Sequence, residues 1–526
     1  MIASGVRLTA AGRAGDESGV GDLSELPRGW ARVTLQDVAI WSSGGTPSRS
    51  KPEYFSGSIP WLKTGELGLR VIYTAEEHIS ESAIDASSAK VFAKGSVAIA
   101  MYGATIGKTS ILGIDAATNQ ACAVGIPDAT NSEFLYYFLV SQEKGFVDAG
   151  KGGAQPNISQ GIVKDWPISL PPRAEQTRIV AKLEELLFDL DAGVAELKGA
   201  QKKLGQYRQS LLKAAVEGAL TIEWRSQNTP TETGAQLLQR ILAERRERWK
   251  AKQRAKFKEQ GKSPPKDWEA KYTEPVQPDS AGMPGLPEGW VWASVEQLGR
   301  VQLGRQRSPS KIGKENPTPY IRAANITEGG VDMNDVLEME FSETEKQTFA
   351  LKVGDVLLTE ASGSPEHVGR PAIWRKSHSL YCFQNTVLRF SPDGIGSEFA
   401  FYTFLAMQKL GVFSKLSGGV GINHLSAGKF SRLPVPLPPA DEQIALIEII
   451  EEGLLRCADQ LVVNTHILKQ STAQRQNILR AAFAGQLVPQ DPNDEPASAL
   501  LARIRAERAV LEATQKPRGR KPKALA

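Results

Sequence analysis

The chain states its frame twice. Leu26-Pro27-Arg28-Gly29-Trp30 returns as Leu286-Pro287-Glu288-Gly289-Trp290, and Leu170-Pro171-Pro172-Arg173-Ala174-Glu175-Gln176 returns as Leu437-Pro438-Pro439-Ala440-Asp441-Glu442-Gln443. A spacing of about 260 residues is the size of a domain and far too long for a solenoid repeat. Between the matching edges the two halves diverge, so any fold must be built around duplicated edges with different interiors.

Each second edge leads into a heptad pattern. Leu183, Leu190, Leu197, Leu204 and Leu211 stand seven apart, with Leu186, Ala200, Tyr207 and Ala214 in the intervening row. In the second half Ile447, Leu454, Leu461 and Leu468 repeat the spacing, with Ile450, Cys457, Asn464, Ser471 and Ile478 between them. Both patterns predict a long coiled-coil helix, entered after a Pro-Pro pair and left at Gly218 or Gly485. At 1.5 Å per residue such a helix is a rod of about 60 Å. Two helices of matched length, each with one apolar stripe, are natural partners, and the intervening domain favours antiparallel pairing. Asn464 has two readings, a register-fixing polar contact in the seam or a solvent-facing residue.

The exits repeat as well. Arg208-Gln209-Ser210-Leu211-Leu212-Lys213-Ala214-Ala215 answers Arg475-Gln476-Asn477-Ile478-Leu479-Arg480-Ala481-Ala482, and Leu237-Leu238-Gln239-Arg240-Ile241 answers Leu500-Leu501-Ala502-Arg503-Ile504. Each half therefore has a globular domain, a long helix and a short basic helix. Within the globular parts, Gly-led turns enter short apolar strands at Lys94 to Ala100 and Val353 to Thr359. Ser132 and Ser397 open helical patterns as N-caps. The expected fold is α+β: two mixed α/β domains separated by two long helices forming an antiparallel coiled coil, with a pseudo-two-fold internal repeat. The expected division is a disordered leader 1–25, a first domain 26–172, a long helix 173–220, a basic helix and linker 221–285, a second domain 286–439, a second long helix 440–487, and a basic helix with disordered tail 488–526.

Charge is unevenly spread. The net charge is only +4, yet Arg240 to Tyr272 holds twelve Lys or Arg against five acids, and Leu500 to Ala526 holds eight against two. Such clustering favours a polyanionic partner. The end of the chain, Lys516-Pro517-Arg518-Gly519-Arg520-Lys521, has two readings. It resembles a minor-groove hook with Arg518 and Arg520 in a narrow groove, and it equally suits a solubilising tail, the simpler of the two.

Catalytic patterns are missing. Gly103-Ala104-Thr105-Ile106-Gly107-Lys108-Thr109 is one residue short of a phosphate-binding loop and reads as a turn between strands. No dinucleotide fingerprint, nucleophile elbow or zinc-protease motif is present, nor the Pro-Pro-aromatic cluster that amino-methyltransferases use. The three cysteines and five histidines show no metal-ligand spacing, and no apolar run reaches membrane-spanning length. The expectation is a cytoplasmic protein, without catalytic residues, metal or cofactor of its own and without a membrane partner.

The two Leu-Pro-x-Gly-Trp starts, the two Pro-Pro-x-x-Glu-Gln helix entries and the Gly-Ala-Leu and Gly-Gln-Leu exits together make the chain resemble the specificity subunit of type I restriction-modification systems, over roughly residues 26 to 510. The resemblance implies two target recognition domains, each reading one half of a split, asymmetric site on double-stranded DNA, with the helices as a ruler for the gap. It implies partners: two methylation subunits that carry S-adenosylmethionine chemistry, and motor-nuclease restriction subunits that use ATP and Mg. The long basic connector, about 225–285, departs from the family pattern. A structural coiled-coil scaffold with two protein-binding domains is the alternative. Base contacts do not transfer residue by residue, so candidates are ranked by chemistry at turns and strand ends. In the first domain these are Lys63, Thr64, Glu66, Tyr102, Lys108, Gln120 and Asn157; in the second, Arg322, Asn325, Glu360, His367, Arg370, Asn385, Asn423 and His424. Trp30 and Trp290, at equivalent frame positions, are expected in the core.

Overall fold

The computed structural model describes residues 26–150, 156–306, 317–376, 378–416 and 423–514. The expected leader 1–25 and the tail with Arg518 and Arg520 lie outside the described residues. The chain forms two compact units that cut across its linear order. Unit 1 comprises Met1–Glu196 with Ile467–Ala526, and unit 2 comprises Leu197–His466.

Both units use the same sheets. In unit 1 a strand at the entry, Ala31–Thr34, pairs with Pro167–Leu170 at the exit. In unit 2 Val291–Ser294 pairs with Pro434–Leu437 in the same antiparallel sense. The main sheet of unit 1 runs Ala39–Ser43, Cys122–Pro127, Val97–Ala100, Thr109–Leu112 and Val71–Ile72 in that order. That of unit 2 runs Gly299–Leu303, Val387–Pro392, Val356–Thr359 and Pro371–Ile373. Beside each lies a smaller sheet with one parallel pair, Ile59–Leu62 with Ala116–Thr118 and Pro317–Ile321 with Cys382–Phe383. The central strands are buried end to end, as sheets covered on both faces require.

The long helices are Arg173–Val216 and Ala440–Phe483, 44 residues each. In unit 1 the first turns of the first helix meet the last turns of the second: Leu183, Leu187, Leu479 and Ala482 share a core, and Arg475 pairs with Asp191. In unit 2 the ends are reversed, with Leu212 and Ala215 in one core with Leu446 and Ile450, and Leu211 against Gly453. The pair is therefore an antiparallel coiled coil. Of the expected seam, Leu183 and Leu211 are buried, while Leu190, Leu197, Leu204, Ile447, Leu454, Leu461 and Leu468 are half-buried. The second row of the first helix falls one residue later than its sequence suggested. Leu187 and Ala215 are buried where Leu186 and Ala214 are only half-buried, and Tyr207 is exposed. A four-residue step from each seam leucine brings the inward row, and a three-residue step is equally open to a heptad reading of sequence alone. Asn464 is half-buried, and Ile450 and Cys457 in its row are buried.

The duplicated motifs form one joint, built twice. Gly29 and Gly289 both turn at φ +83°, and the tryptophan that follows is buried. The Trp30 indole N–H donates to Glu175 Oε2 at 3.0 Å, and the Trp290 indole N–H donates to Glu442 Oε2 at 2.9 Å. The neighbouring glutamines cap the Pro-Pro turns, Gln176 donating to the Pro171 carbonyl and Gln443 to the Pro438 carbonyl. The two tryptophans are thus core residues, as expected. At the far end of each helix a glycine in the left-handed region, Gly218 or Gly485, packs on the proline of a Leu-Pro entry. A Cβ at Gly218 would stand 2.5 Å from Pro287 Cγ, and one at Gly485 2.4 Å from Pro27 Cγ.

The second domain also contains a side chain with no equivalent in the first. Arg305 occupies the place of Gly45, where a Cβ would meet the backbone of Ala89 at 2.3 Å. Its guanidinium pairs with Glu345 at 2.6 Å and lies 5.0 Å from the Phe341 ring centroid. Although burial opposes it, the Ser342 backbone N–H and Arg305 hold the Glu345 carboxyl down to about 2.

Two predictions follow from these contacts. Gly218→Ala and Gly485→Ala combine a φ penalty with a clash against a proline ring, and each should cost about 1–3 kcal/mol, read as a lower denaturation midpoint of the unit that carries it. Glu345, depressed in the folded state, stabilises unit 2 above its unfolded-state pKa and loses that contribution as pH falls towards about 2. Glu345→Gln should flatten the acid limb of the unit 2 melting profile in that window, and an unchanged limb would refute the assignment.

Candidate nucleic-acid interface

At one edge of each domain a row of loops is held by backbone hydrogen bonds. In unit 1 Gly44 N–H donates to Cys122 O, Gly45 to Thr118 O, Asn119 to Leu62 O, Met101 to Ala121 O and Ile158 to Met101 O, all at 2.8–3.2 Å. In unit 2 Gly304 donates to Val387 O, Arg305 to Phe383 O, Gln384 to Ile321 O, Glu360 to Thr386 O and Leu425 to Glu360 O, at 2.8–3.1 Å. The correspondence is bond for bond. It places Lys63 with Arg322, Glu66 with Asn325, Gln120 with Asn385, and Asn157 with His424. Each matched pair occupies one seat on one scaffold while presenting a different donor and acceptor pattern.

Several candidates serve the scaffold itself. Glu66 Oε1 accepts from Lys63 N–H and its Oε2 from Glu76 N–H, both at 2.9 Å. Asn325 is buried; its Oδ1 accepts from Arg322 N–H, and its Nδ2 donates to the carbonyls of Asp332 and Asp335. With the side chain buried and its whole amide bonded, the expected role of Asn325 at a base edge is corrected to loop closure, while half-buried Glu66 helps hold its loop. Lys63 pairs with Glu76 at 2.9 Å and Glu77 at 3.1 Å, which raises its pKa, and Arg322 pairs with Asp335. Arg370 is half-buried, with a guanidinium N–H 3.5 Å from the Ile326 carbonyl.

Most of the remaining candidates are exposed at the loop row. Tyr102 is 46% exposed and pairs through its backbone with exposed Asn157. Lys108 is exposed after the Gly103–Thr105 turn, which joins two strands as its short glycine spacing required. Gln120 is exposed and accepts from the Thr46 hydroxyl, while Thr64 is half-buried. In the second domain Asn385 is half-buried, His367 is exposed on a short 3-10 turn, and exposed His424 meets Glu360 at 3.1 Å. Asn423 pairs through its backbone with Ser362. Sequence reasoning passed over Thr46 and Arg49, which lie on the loop after Gly44-Gly45. That Gly-Gly pair was the available signal, because a Cβ at either position would collide with backbone at 2.2–2.4 Å.

The basic connector is a folded element of unit 2. Helix Gly234–Glu259 starts against the entry turn, where Gly234 N–H donates to Gly289 O at 2.7 Å. Helix Ala497–Thr514 does the same in unit 1, where Ala497 N–H donates to Gly29 O at 2.9 Å. Beyond that shared start, Trp249 stacks on Trp268 at 5.7 Å and meets Tyr272 at 5.3 Å, folding the chain back on the helix. Its arginines are tied down, Arg246 to Glu274, Arg248 to Asp393 and Arg254 to Glu269. Lys252, Lys256, Lys258, Lys262, Lys266 and Lys271 are exposed. No helix among the described residues is long and apolar enough to cross a membrane.

Comparison with known proteins places this geometry. Over 511 residues the chain is 24% identical to the type I restriction enzyme EcoDI specificity subunit of Escherichia coli, covering 92% of this chain and 97% of that protein. Its fold is similar to that of a chain from a solved structure described as the structural basis of complex assembly and conformational transition of the type I R-M system, with TM-score 0.63 and 17% identity over 88% of this chain and 99% of that one. It is also similar to the HsdS subunit of Thermoanaerobacter tengcongensis, with TM-score 0.50 and 17% identity over 88% and 98% of the two chains. Residues 27–196 and 287–452 both match the type I restriction modification DNA specificity domain, so the chain belongs to the specificity subunits of type I restriction-modification systems, the non-catalytic members that recognise DNA sequence and assemble with the other subunits.

Proposed function

We propose that the two loop rows read the two halves of a split, asymmetric DNA site, one half per domain. The observation that carries this reading is the duplicated loop scaffold: the same five backbone bonds hold both rows, and the outward side chains differ. Gln120 and Asn157 in the first row offer the amide chemistry suited to adenine, and Asn385 with His424 offers a different set in the second. Tyr102 and Lys108 supply contact area and phosphate neutralisation, and the exposed lysines of the connector add affinity that carries no sequence information.

In this proposal two methylation subunits dock on the paired helices and bring S-adenosylmethionine to the target adenines, while motor-nuclease subunits bring ATP and Mg. The joint built twice around Trp30 and Trp290 supports two equivalent seats. The gap between half-sites follows the length of the helix pair.

Sequencing of methylated adenines in DNA modified by the assembled complex tests the reading. Gln120→Ala with Asn157→Ala should relax the first half-site alone, and Asn385→Ala with His424→Ala the second alone, each misread base pair costing about 1–3 kcal/mol of discrimination. Relaxation of both half-sites by either double variant would refute the division of labour. Inserting one heptad into both long helices should lengthen the gap and leave the half-site sequences as they were; altered half-sites would count against the helices as a spacer.

A further inference from the structure

The two units part company at one position where the repeat is otherwise in step. In unit 1 Arg70, just before strand Val71–Ile72, pairs with Glu184 on the first long helix and lies 5.8 Å from the Tyr137 ring centroid. The loop around it matches unit 2 without a gap, because the Lys63–Glu76 pair corresponds to Arg322–Asp335. On that alignment Arg70 corresponds to Gly329, just before strand Gly330–Val331. Tyr137 corresponds to Tyr402 and Glu184 to Glu451, and these two are in place, with the Tyr402 hydroxyl donating to Glu451 at 3.2 Å.

What unit 2 lacks is the arginine. Around Gly329 there is instead a cavity of about 410 Å³, lined among others by Trp374, Glu398, Phe401, Tyr402 and Glu451. Its other charges are largely matched: Glu398 meets Arg375 at 3.3 Å and Glu328 meets Lys409 at 2.7 Å, with Lys376 also at the wall. Among the described residues Glu451 has no cation within pairing distance. Trp374 is 1% exposed and its indole N–H has no acceptor, which is costly for a buried donor.

We propose that this cavity receives an arginine side chain from a partner protein docked along the second long helix. The guanidinium pairs with Glu451 and lies over Tyr402, as Arg70 does with Glu184 and Tyr137 in the same chain. Trp374, a wall residue, reports on filling of the cavity. The identity of the donor as a partner subunit rests on the docking reading above; the chemistry of the cavity does not.

The test uses the full chain alone, with N-acetyl-arginine amide as probe and the indole ¹⁵N–H resonance of Trp374, assigned by its loss in Trp374→Phe, as readout. An exposed ion pair is weak, so saturation is expected in the millimolar range. N-acetyl-citrulline amide, of the same shape without the charge, should bind at least about fivefold more weakly. Glu451→Gln should weaken arginine binding about fivefold, the effect of one exposed pair. Gly329→Arg should fill the cavity from within and abolish the response while keeping the wild-type melting profile. No saturable shift with arginine, an equal response to citrulline, or full binding by Glu451→Gln would overturn the proposal. Should Gly329→Arg fail to fold, the citrulline and Glu451→Gln results decide the matter. None of these readouts involves DNA, so failure of the half-site reading is seen separately.

Discussion

The hydrogen bond from a buried tryptophan to a buried glutamate, formed once in each unit, is the constraint on which the rest of the structure depends. A carboxylate away from water must have its lone pairs satisfied or leave the fold. Glu175 and Glu442 achieve this only when the Leu-Pro-x-Gly-Trp entry, the Pro-Pro helix start and the exit of the opposite helix are all in position. Gln490, five residues beyond Gly485, donates to Glu175 at 3.2 Å, and Thr221 and Arg225, just beyond Gly218, donate to Glu442 at 2.6 and 2.5 Å. One side chain therefore reads whether three distant segments have met. The units solve the charge differently. Arg225 neutralises Glu442, whereas Glu175 receives neutral amide and indole donors, and burial raises its pKa.

This joint was legible in sequence as a motif before it was legible as a bond. Short patterns such as Pro-Pro-x-x-Glu-Gln repeat because every residue in them has a geometric duty, so duplication exposed the frame, the helix pair and the repeat. The inward row of the first helix was less accessible, since Leu186 and Leu187 are both leucines and only packing separates them. Side-chain roles in the loops were the least legible. Asn325 and Glu66 have the chemistry of base readers, yet local backbone groups claim them first, and nothing in their composition tells a loop-closing amide from a reading one. Gln120 and Asn385 occupy matching tight turns between strands, the first exposed and the second half-buried.

The division between fixed backbone and variable side chain explains how the two domains can differ so much in sequence. The loop rows are positioned by peptide groups, which every residue carries, so side chains at the outward seats can change without moving the loops. Lys63 and Arg322 keep a cation tied to an acid at one seat, while Asn157 and His424 exchange one polar chemistry for another at the next. Where the backbone comes too close for a side chain, as at Gly44 and Gly304, glycine is retained in both halves.

The contact of Gly485 with Pro27 carries a consequence for the order in which the protein is made. Unit 2 is a single stretch of chain, Leu197–His466, and is made in full before the segment from Ile467 onward that unit 1 needs. Unit 1 begins first and finishes last, because its core includes Leu479, Ala482, Ala497 and Leu500 alongside Trp30 and Leu183. Until the final helix arrives, the apolar faces of the first helix and the Trp30 entry have no cover, and a truncated chain would expose them. The core of unit 1 therefore closes only after unit 2 has its whole sequence, which makes the first domain dependent on a segment made after the second.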